Sequence, residues 1–481
     1  MEDFNIQNAN SELPLCVDLD GTLVRTDVLL ESIFALLKQN FIYVLFLPLW
    51  LLKGKSYFKQ QIADRVELDV ELLPYHDEFL DYLKQQKALG RHLVLATASN
   101  LKYAEQIALH LGLFETVLAS DNQTNLSGHC KRQRLVETFG ERGFDYAGNA
   151  KVDLEIWSHA EGVILVTPEA GVQEQAEKLG RTKKIFPGQQ ASVSTYIKAM
   201  RLHQWVKNLL IFVPLALSHQ VDDLTLLVQA VQAFIAFGLC ASSIYLFNDL
   251  LDLPADRRHP SKCARPLAAG VLPIKHGALL IPVLVLIGFT IALGLPVEFL
   301  AILALYFFVT LAYSVWFKQA ALVDVLVLAA LYTLRIIAGT AAVGVDYSFW
   351  LLAFAMFLFL SLALVKRYSE LLAQPKDNSE FLHGRGYSVG DLDILSQFGA
   401  SSGYMAVLVL AFYINSSEIG LLYSYPEAIW MLCPILLYWI SRVWLLARRG
   451  EMDEDPVVFA IQDVRSRWLA LITLAILWAG L

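Results

Sequence analysis

The chain has 481 residues, 56% hydrophobic and only 17% charged, an apolar excess that excludes an ordinary soluble protein. Its net charge of −8 gives no overall case for nucleic-acid binding, because the basic residues cluster beside apolar segments. The five cysteines, Cys16, Cys130, Cys240, Cys263 and Cys433, lack metal or redox spacing and exclude a disulfide framework.

The first residues, among them Glu2, Asp3 and Asn5, are polar and lack the basic region and apolar core of a secretory signal, so the front of the chain is expected in the cytoplasm. Up to about residue 200 apolar and charged residues mix. Short apolar runs at Leu13 to Val17, His92 to Ala96, Val117 to Ala119, Phe144 to Ala147 and Val163 to Val166 predict parallel strands between helices, an α/β domain over 1–190. The first run ends in Asp18-Leu19-Asp20-Gly21-Thr22. There one carboxylate can attack phosphorus while another, two residues on and on the same side of the chain, handles the leaving-group proton. Between this motif and the second strand lies Phe41 to Leu52, almost wholly apolar and too short to span a bilayer. It reads equally as a buried cap helix or as an interfacial helix.

The Asp18–Thr22 run resembles the haloacid-dehalogenase phosphatases over about residues 12 to 180, a Rossmann-like fold with a cap. The resemblance implies Asp18 as nucleophile, Asp20 as acid/base, Thr97 as phosphate ligand and Lys131 as the neutralising lysine. It implies Mg²⁺ held among Asp18, Asp20, Asn149 and Asp153. The chain departs from the family at Asn149, where a carboxylate is usual; the amide keeps an oxygen but loses a charge, so metal affinity should fall. A degenerate regulatory domain is the alternative reading.

Beyond residue 195 the pattern predicts an all-α membrane domain of about nine transmembrane helices, near 206–219, 224–247, 278–296, 297–315, 321–344, 348–366, 399–417, 427–446 and 466–481. Lys and Arg concentrate in alternate loops, at 248–277, 367–398 and around Arg448, Arg449 and Arg465. The positive-inside rule then puts these loops and the front domain in the cytoplasm, the chain in the inner membrane, and the C-terminus outside for an odd count.

Topogenic charge does not explain the acids among these bases. Asn248, Asp249, Asp252 and Asp256 end the second span, followed by Lys262 and Arg265, and on a helix the three carboxylates would share a face unless Pro254 breaks it. Carboxylates so placed read either as a solvated acidic loop balanced by its Arg neighbours or, the preferred reading, as oxygen ligands that hold Mg²⁺ with a polyphosphate. A second group comprises Tyr313, Ser314, Lys318, Asp324 and Arg335. Asp324 and Arg335 are three turns apart, about 16 Å, too far to pair. Arg335, deep in the bilayer, calls for a polar cavity, an anionic ligand or a partner on another helix. Arg201, Gln204, Trp205, Lys207 and Asn208 precede the first span, and Lys366, Arg367, Tyr368 and Glu370 end the sixth, before Arg385 and Tyr387. Lys207 reads equally as a snorkelling helix anchor.

The run NDLLDLPADRRHPSKCARPLAAG resembles the first Asp-rich motif of the UbiA superfamily of membrane prenyltransferases, and the resemblance covers about 195–481. RLHQWVKN, HPSKCARPLAAG and AYSVWFKQAALVDVL with Arg335 most resemble its decaprenyl-phosphate phosphoribosyltransferase branch. That branch moves 5-phosphoribose from phosphoribosyl diphosphate to a polyprenyl phosphate. The resemblance implies Mg²⁺ on Asp249, Asp252 and Asp256, with Asp324 in the second motif. It implies phosphate contacts from Lys207, Asn208, Asn248, Lys262, Arg265, Tyr313, Lys318, Arg335, Lys366 and Arg367. Asp324 lacks the second Asp of aromatic prenyltransferases, four residues away, which counts against two-motif binding of a prenyl diphosphate. An aromatic prenyltransferase and a transporter with a regulatory domain remain alternatives. The front domain is expected to remove the 5-phosphate from the transferase product.

Overall fold

The computed structural model describes residues 13–188, 191–373, 385–416, 419, 423–452 and 455–480. They form two compact units. One comprises the chain up to Met200 together with Tyr245–Leu280; the other comprises Arg201–Ile244 and Ile281–Leu481.

The first unit is built on a parallel sheet of β1 (Leu15–Val17), β2 (Leu93–Asn100), β3 (Thr116–Ser120), β4 (Asp145–Gly148), β5 (Gly162–Val166) and β6 (Thr182–Phe186), in the order β3-β2-β1-β4-β5-β6. Leu15, Cys16 and Val17 pair with Leu93, Val94 and Leu95 on one side and with Asp145, Tyr146 and Ala147 on the other. Side chains alternate between two cores. Leu15, Val17, Leu93, Leu95, Ala147 and Ile164 pack on one face, and Cys16, Val94, Ala96, Tyr146, Val163 and Leu165 on the other. A parallel strand covered on both faces must be apolar throughout, which is why four strands fall within two residues of the apolar runs, while β2 begins one residue into its run and continues four beyond it. The sixth, β6, carries Lys183 and Lys184 and was not expected. Both lysines are stabilised there: Lys183 Nζ lies 2.8 Å from the buried Asp145 carboxylate, and Lys184 sits over the Tyr82 ring. Because β2 and β4 flank β1 on opposite sides, the chain after β1 leaves from a topological switch point, where α/β sheets bind ligands.

The helix Val28–Gln39 is N-capped by Asp27, which accepts from Leu30 N at 2.9 Å. After it Phe41–Leu45 and Phe46–Leu52 lead into Lys55–Ala63. Leu36, Trp50, Phe58, Ile62 and Val66 form the small core of this cap. Only Trp50 is buried within Phe46–Leu52, so the buried-helix reading of that stretch does not hold. The same unit contains Tyr245–Leu280, where the helix Leu224–Leu251 breaks at Asp252 and resumes as Leu253–Arg258 with Pro254 in its first turn. Arg257 joins this segment to the Val28–Gln39 helix through a bidentate pair with Glu31, at 2.9 and 2.6 Å.

Among the described residues seven helices are long and apolar enough to cross a membrane: Leu224–Leu251, Ile274–Ala292, Val297–Val315, Val323–Val343, Phe349–Leu372, Val389–Ile414 and Glu427–Arg448. The first and last expected spans are present as shorter elements. Leu202–Phe212 is a 3-10 helix continued by Val213–Leu217, and Val464–Gly480 has 17 residues. Helices of the second unit approach closely at glycines: a Cβ on Gly339 would meet the Ile211 carbonyl at 2.1 Å, and one on Gly399 the Trp444 ring at 1.9 Å. Small residues at such crossings are how membrane helices gain packing without a hydrophobic driving force.

Candidate active sites in the two units

Asp18 lies just past β1, where its backbone N–H still donates to Ala147 O. Lys131, 3% exposed, donates to Asp18 Oδ1 at 2.8 Å and to the Tyr146 hydroxyl at 3.0 Å. Tyr146 in turn donates to Asp153 Oδ1 at 3.1 Å. Burial pulls the Lys131 ammonium down, but Asp18 and Asp153 more than offset it and hold its pKa above the ordinary value. Asp20 accepts from Ser99 Oγ at 2.6 Å and from Val28 N at 2.8 Å. Burial, reinforced by Asp27, raises the Asp20 carboxyl to about 7, a poise that suits a group giving and taking a proton near neutrality. Thr97, fully buried on β2, accepts from Ser99 N at 3.0 Å.

The fourth motif departs from its expected role in one respect. Asp153 Oδ2 accepts from Asn149 N and Ala150 N at 3.0 and 2.9 Å, so both its oxygens are engaged in holding the loop and Tyr146. Asn149 Oδ1 accepts from Thr22 Oγ1 at 3.3 Å, above Gly21, whose positive φ of 77° lets the loop turn beneath the amide. Of the four positions expected to hold a metal, Asp20 and Asp153 have both carboxylate oxygens hydrogen-bonded, whereas Asp18 meets Lys131 through Oδ1. Ser99, Tyr146 and Asp27 were missed from sequence. Asp27 alone carried a signal, as an N-cap before an apolar helix.

In the Asp-rich segment the carboxylates divide. Arg265 donates to Asp249 at 3.2 Å and to Asp256 at 2.5 Å, both nearly buried, whereas Asp252 turns to Lys38 at 2.9 Å. The break at Asp252 separates a face that an unbroken helix would have kept together. Asn248 Oδ1 is buried with no donor among the described residues. A buried acceptor left open, next in sequence to Asp249, is a group that a cation would satisfy. No group of three or more acids, His or Cys is gathered closely enough to hold a metal among the described residues, since Arg265 and Lys38 stand between the carboxylates. Lys262 lies in the short turn that leads to Arg265.

In the second unit Asp324 opens the helix Val323–Val343. The preceding Leu322 is held at a φ of 65° with its N–H donating to the Tyr387 hydroxyl at 2.9 Å. Arg367, buried on Phe349–Leu372, pairs with Asp324 and with Glu370. Tyr313 and Arg385 add donors to Asp324 at 2.7 and 3.2 Å. Both Asp324 oxygens are therefore met by cations and a phenol, an environment that does not fit a metal ion. Arg335, 5% exposed, does not pair with Asp324; it donates to Asn208 Oδ1 at 2.9 Å, Leu331 O at 2.6 Å and the Tyr306 hydroxyl at 3.0 Å. It has no carboxylate partner among the described residues, and the rings of Phe237, Tyr306 and Tyr332 surround it. Asn208 Nδ2 beside it is buried without an acceptor among the described residues. Lys207 is buried and paired with Asp455, which also caps Pro456–Gln462, so it is no snorkelling anchor. Lys366 shares the field of Lys207, Asp455 and Glu370. Lys318 lies in the turn after Val297–Val315, and Ser314 bonds back to Thr310 O. Asp455 and Tyr306 were missed; the Asp-Pro at a helix start was the readable sign of the first.

The UbiA prenyltransferase family matches residues 209–472, and the haloacid dehalogenase-like hydrolase family matches 15–155. An uncharacterized protein, y4nM, of Sinorhizobium fredii is 36% identical over all of this chain and 93% of its own length. The nodulation protein NoeC of Azorhizobium caulinodans is 37% identical over 56% of this chain and 87% of its own. The decaprenyl-phosphate phosphoribosyltransferase of Mycolicibacterium smegmatis is 39% identical over 60% of this chain and 91% of its own. With more than half its length matched and seven apolar helices of spanning length, this chain is a multi-pass membrane protein of the UbiA prenyltransferase family that carries a haloacid dehalogenase-like domain.

Proposed function

We propose that this protein transfers 5-phosphoribose from phosphoribosyl diphosphate to a polyprenyl phosphate, and that its hydrolase-like domain then removes the 5-phosphate. The observation that carries the reading is Arg335. A guanidinium buried without a counter-ion is strongly unfavourable in a membrane protein, and an anionic substrate group supplies what is missing. Asn208, with an unused amide donor beside it, extends the same preference for acceptor oxygens. A polyprenyl diphosphate would also bring phosphate, but Asp324 is consumed by Arg367 and Arg385, which leaves the membrane unit basic where a second metal-binding acid pair would be needed. The likeness to the mycobacterial phosphoribosyltransferase supports the same choice.

Mg²⁺, when bound by Asp249 and Asp252 with Asn248, would neutralise the leaving diphosphate. Lys262 and Arg265 would take phosphate oxygens, and the lipid phosphate, already a nucleophile, needs positioning more than a base. In the hydrolase-like domain Asp18 would attack the phosphomonoester, Lys131 would neutralise the charge on the transferring group, and Asp20 would protonate the departing alkoxide. Both substrates would be met at the inner membrane, with the hydrolase-like domain in the cytoplasm, as the basic loops suggest.

Incubation of the purified protein in detergent with radiolabelled phosphoribosyl diphosphate, a polyprenyl phosphate and Mg²⁺ tests this. Wild type and Asp18→Asn label the lipid, Asp252→Ala loses on the order of 10²-fold in turnover, and only proteins with Asp18 release inorganic phosphate from the labelled lipid. Consumption of a prenyl diphosphate with an aromatic acceptor, and none of phosphoribosyl diphosphate, overturns the reading.

A further inference from the structure

The segment between Asn40 and Lys53 carries no charge and lies largely in the open. Ile42 is 57% exposed, Leu45 70%, Leu49 56%, Leu51 52% and Leu52 85%. Exposed apolar side chains scattered singly need no explanation, but eight exposed residues within a run of twelve form a contiguous patch. Its ring system is organised from beneath: Tyr43, Phe46 and Trp50 pack on one another, and Arg65 lies over the Trp50 ring at 4.9 Å. The inner side, with Tyr43, Leu47 and Trp50, is thus anchored to the cap core while Leu45, Leu49, Leu51 and Leu52 are exposed.

Two observations say what covers the patch. The first is position. Phe41, at the start of the segment, meets the ring of Phe247 edge-on at 6.0 Å. Phe247 is in the last turns of Leu224–Leu251, a helix of 28 residues and hence about 42 Å long by the helical rise. A helix of that length crosses the hydrocarbon core of about 30 Å and both headgroup layers, so its final turns lie at headgroup depth. The second is charge. Lys53 and Lys55 follow the apolar run and are exposed, and with Arg65 they flank it with the cations that anionic headgroups attract.

We propose that Phe41–Leu52 is a membrane-surface element that lies in the headgroup and acyl boundary of the leaflet reached by the end of Leu224–Leu251, its leucines in the lipid and Lys53, Lys55 and Arg65 at the phosphates. Its occupant is the bilayer itself. At twelve residues the segment is too short to span, and an apolar face flanked by basic residues is the pattern of helices that lie in the interface. The element moors the cap, and with it the loop that follows β1, to the lipid surface. The proposal does not depend on which reaction either unit performs.

Depth measurement in the full-length protein tests it. In a Cys130→Ser/Cys263→Ser background, which removes the two exposed thiols, single cysteines replace Leu45, Leu49 or Leu52 and receive a bimane label. Leu109, 85% exposed on the sheet domain, serves as the comparison site. The proteins are placed in nanodiscs of phosphatidylcholine and phosphatidylglycerol, with and without bromine on the acyl chains. Labels at 45, 49 and 52 lose emission to bromine and are shielded from iodide in water, whereas the label at 109 responds to iodide alone. Labels at the three leucines that ignore bromine overturn the proposal, whether they are open to iodide, as in free solution, or shielded from it, as under a second copy of the chain.

Discussion

Arg257 and Glu31 form the sharpest test of how Tyr245–Leu280 is held against the sheet domain. Their side chains are 7% and 4% exposed, two parallel N–H to oxygen bonds join them, Thr26 Oγ1 adds a third at 2.6 Å to Glu31, and Arg257 Nε also donates to Ala268 O at 3.0 Å. Arg257→Met keeps much of the volume and removes every one of the guanidinium donors. The buried Glu31 carboxylate is left with one hydroxyl, and breaking a buried pair in this way destabilises by about 3 to 5 kcal/mol. For a unit of this size that corresponds to a fall in Tm of roughly 6 to 20 °C. Thermal unfolding of the detergent-solubilised protein, followed by tryptophan emission, measures it. Glu31→Leu combined with Arg257→Met replaces the pair with apolar groups of similar volume and restores most of the loss, so the two substitutions are strongly non-additive. Equal stability of wild type and Arg257→Met, or a double variant as unstable as the sum of the singles, refutes the argument.

Asn149→Asp restores a charge among the oxygens near Asp18, and the Mg²⁺ concentration for half-maximal phosphatase activity should fall; an unchanged requirement removes Asn149 from the metal's neighbourhood. Arg335→Met should remove transfer while leaving stability within about 1 kcal/mol of wild type, because no carboxylate among the described residues loses a partner, whereas Arg367→Met leaves Asp324 and Glu370 to Arg385 and Tyr313 alone and should destabilise by about 3 to 5 kcal/mol; a fully active Arg335→Met sinks the anion-site assignment. His76 is pushed down to about 4 by burial and by Arg25, and its Nε2 meets Thr167 Oγ1 at 2.6 Å. The unfolded chain then binds more protons than the folded one between about 4 and the ordinary 6.5, so His76 makes the fold lose stability as pH falls through that window. The buried Asp20 and Asp153, raised to about 7 and about 6, act with the opposite sign. The difference in Tm between wild type and His76→Gln isolates the histidine: wild type should lose ground on the variant as pH falls from 6.5 to 4, and a pH-independent difference refutes it.

The sheet domain was legible because burial on both faces forces its strands to be apolar, and because Asp18 and Asp20 sit where such a strand ends. β6 was hidden for the same reason turned around. As an edge strand it needs only one well-packed flank, and Lys183 and Lys184 are accommodated by Asp145 and Tyr82, partners that lie far away in sequence. The shorter first and last membrane helices have a similar cause: hydropathy counts residues, whereas Leu202–Phe212 winds as a 3-10 helix and Val464–Gly480 begins with Arg465 and Arg467.

Residue type also predicted less about the charged sites than about the strands, since a charge's role depends on what answers it. Asp324 and Asp249 are both acids at cytoplasm-facing helix ends by the sequence argument, yet their surroundings send them to different tasks. Asp324 meets Arg367, Arg385 and Tyr313, so its carboxylate organises cations and has no oxygen left over. Asp249 shares Arg265 with Asp256 and stands next to Asn248, whose side-chain oxygen is buried without a donor. A buried acceptor left open costs about 1–3 kcal/mol, and the fold retains it one residue before Asp249. Arg335 is the complementary case, a donor set that meets two neutral side-chain oxygens and a backbone carbonyl but no anion among the described residues. The unmatched acceptor asks for a cation and the unmatched guanidinium asks for an anion. Each is an unmatched group within its own unit, and the proposed transferase reading rests on such groups more than on those the fold pairs.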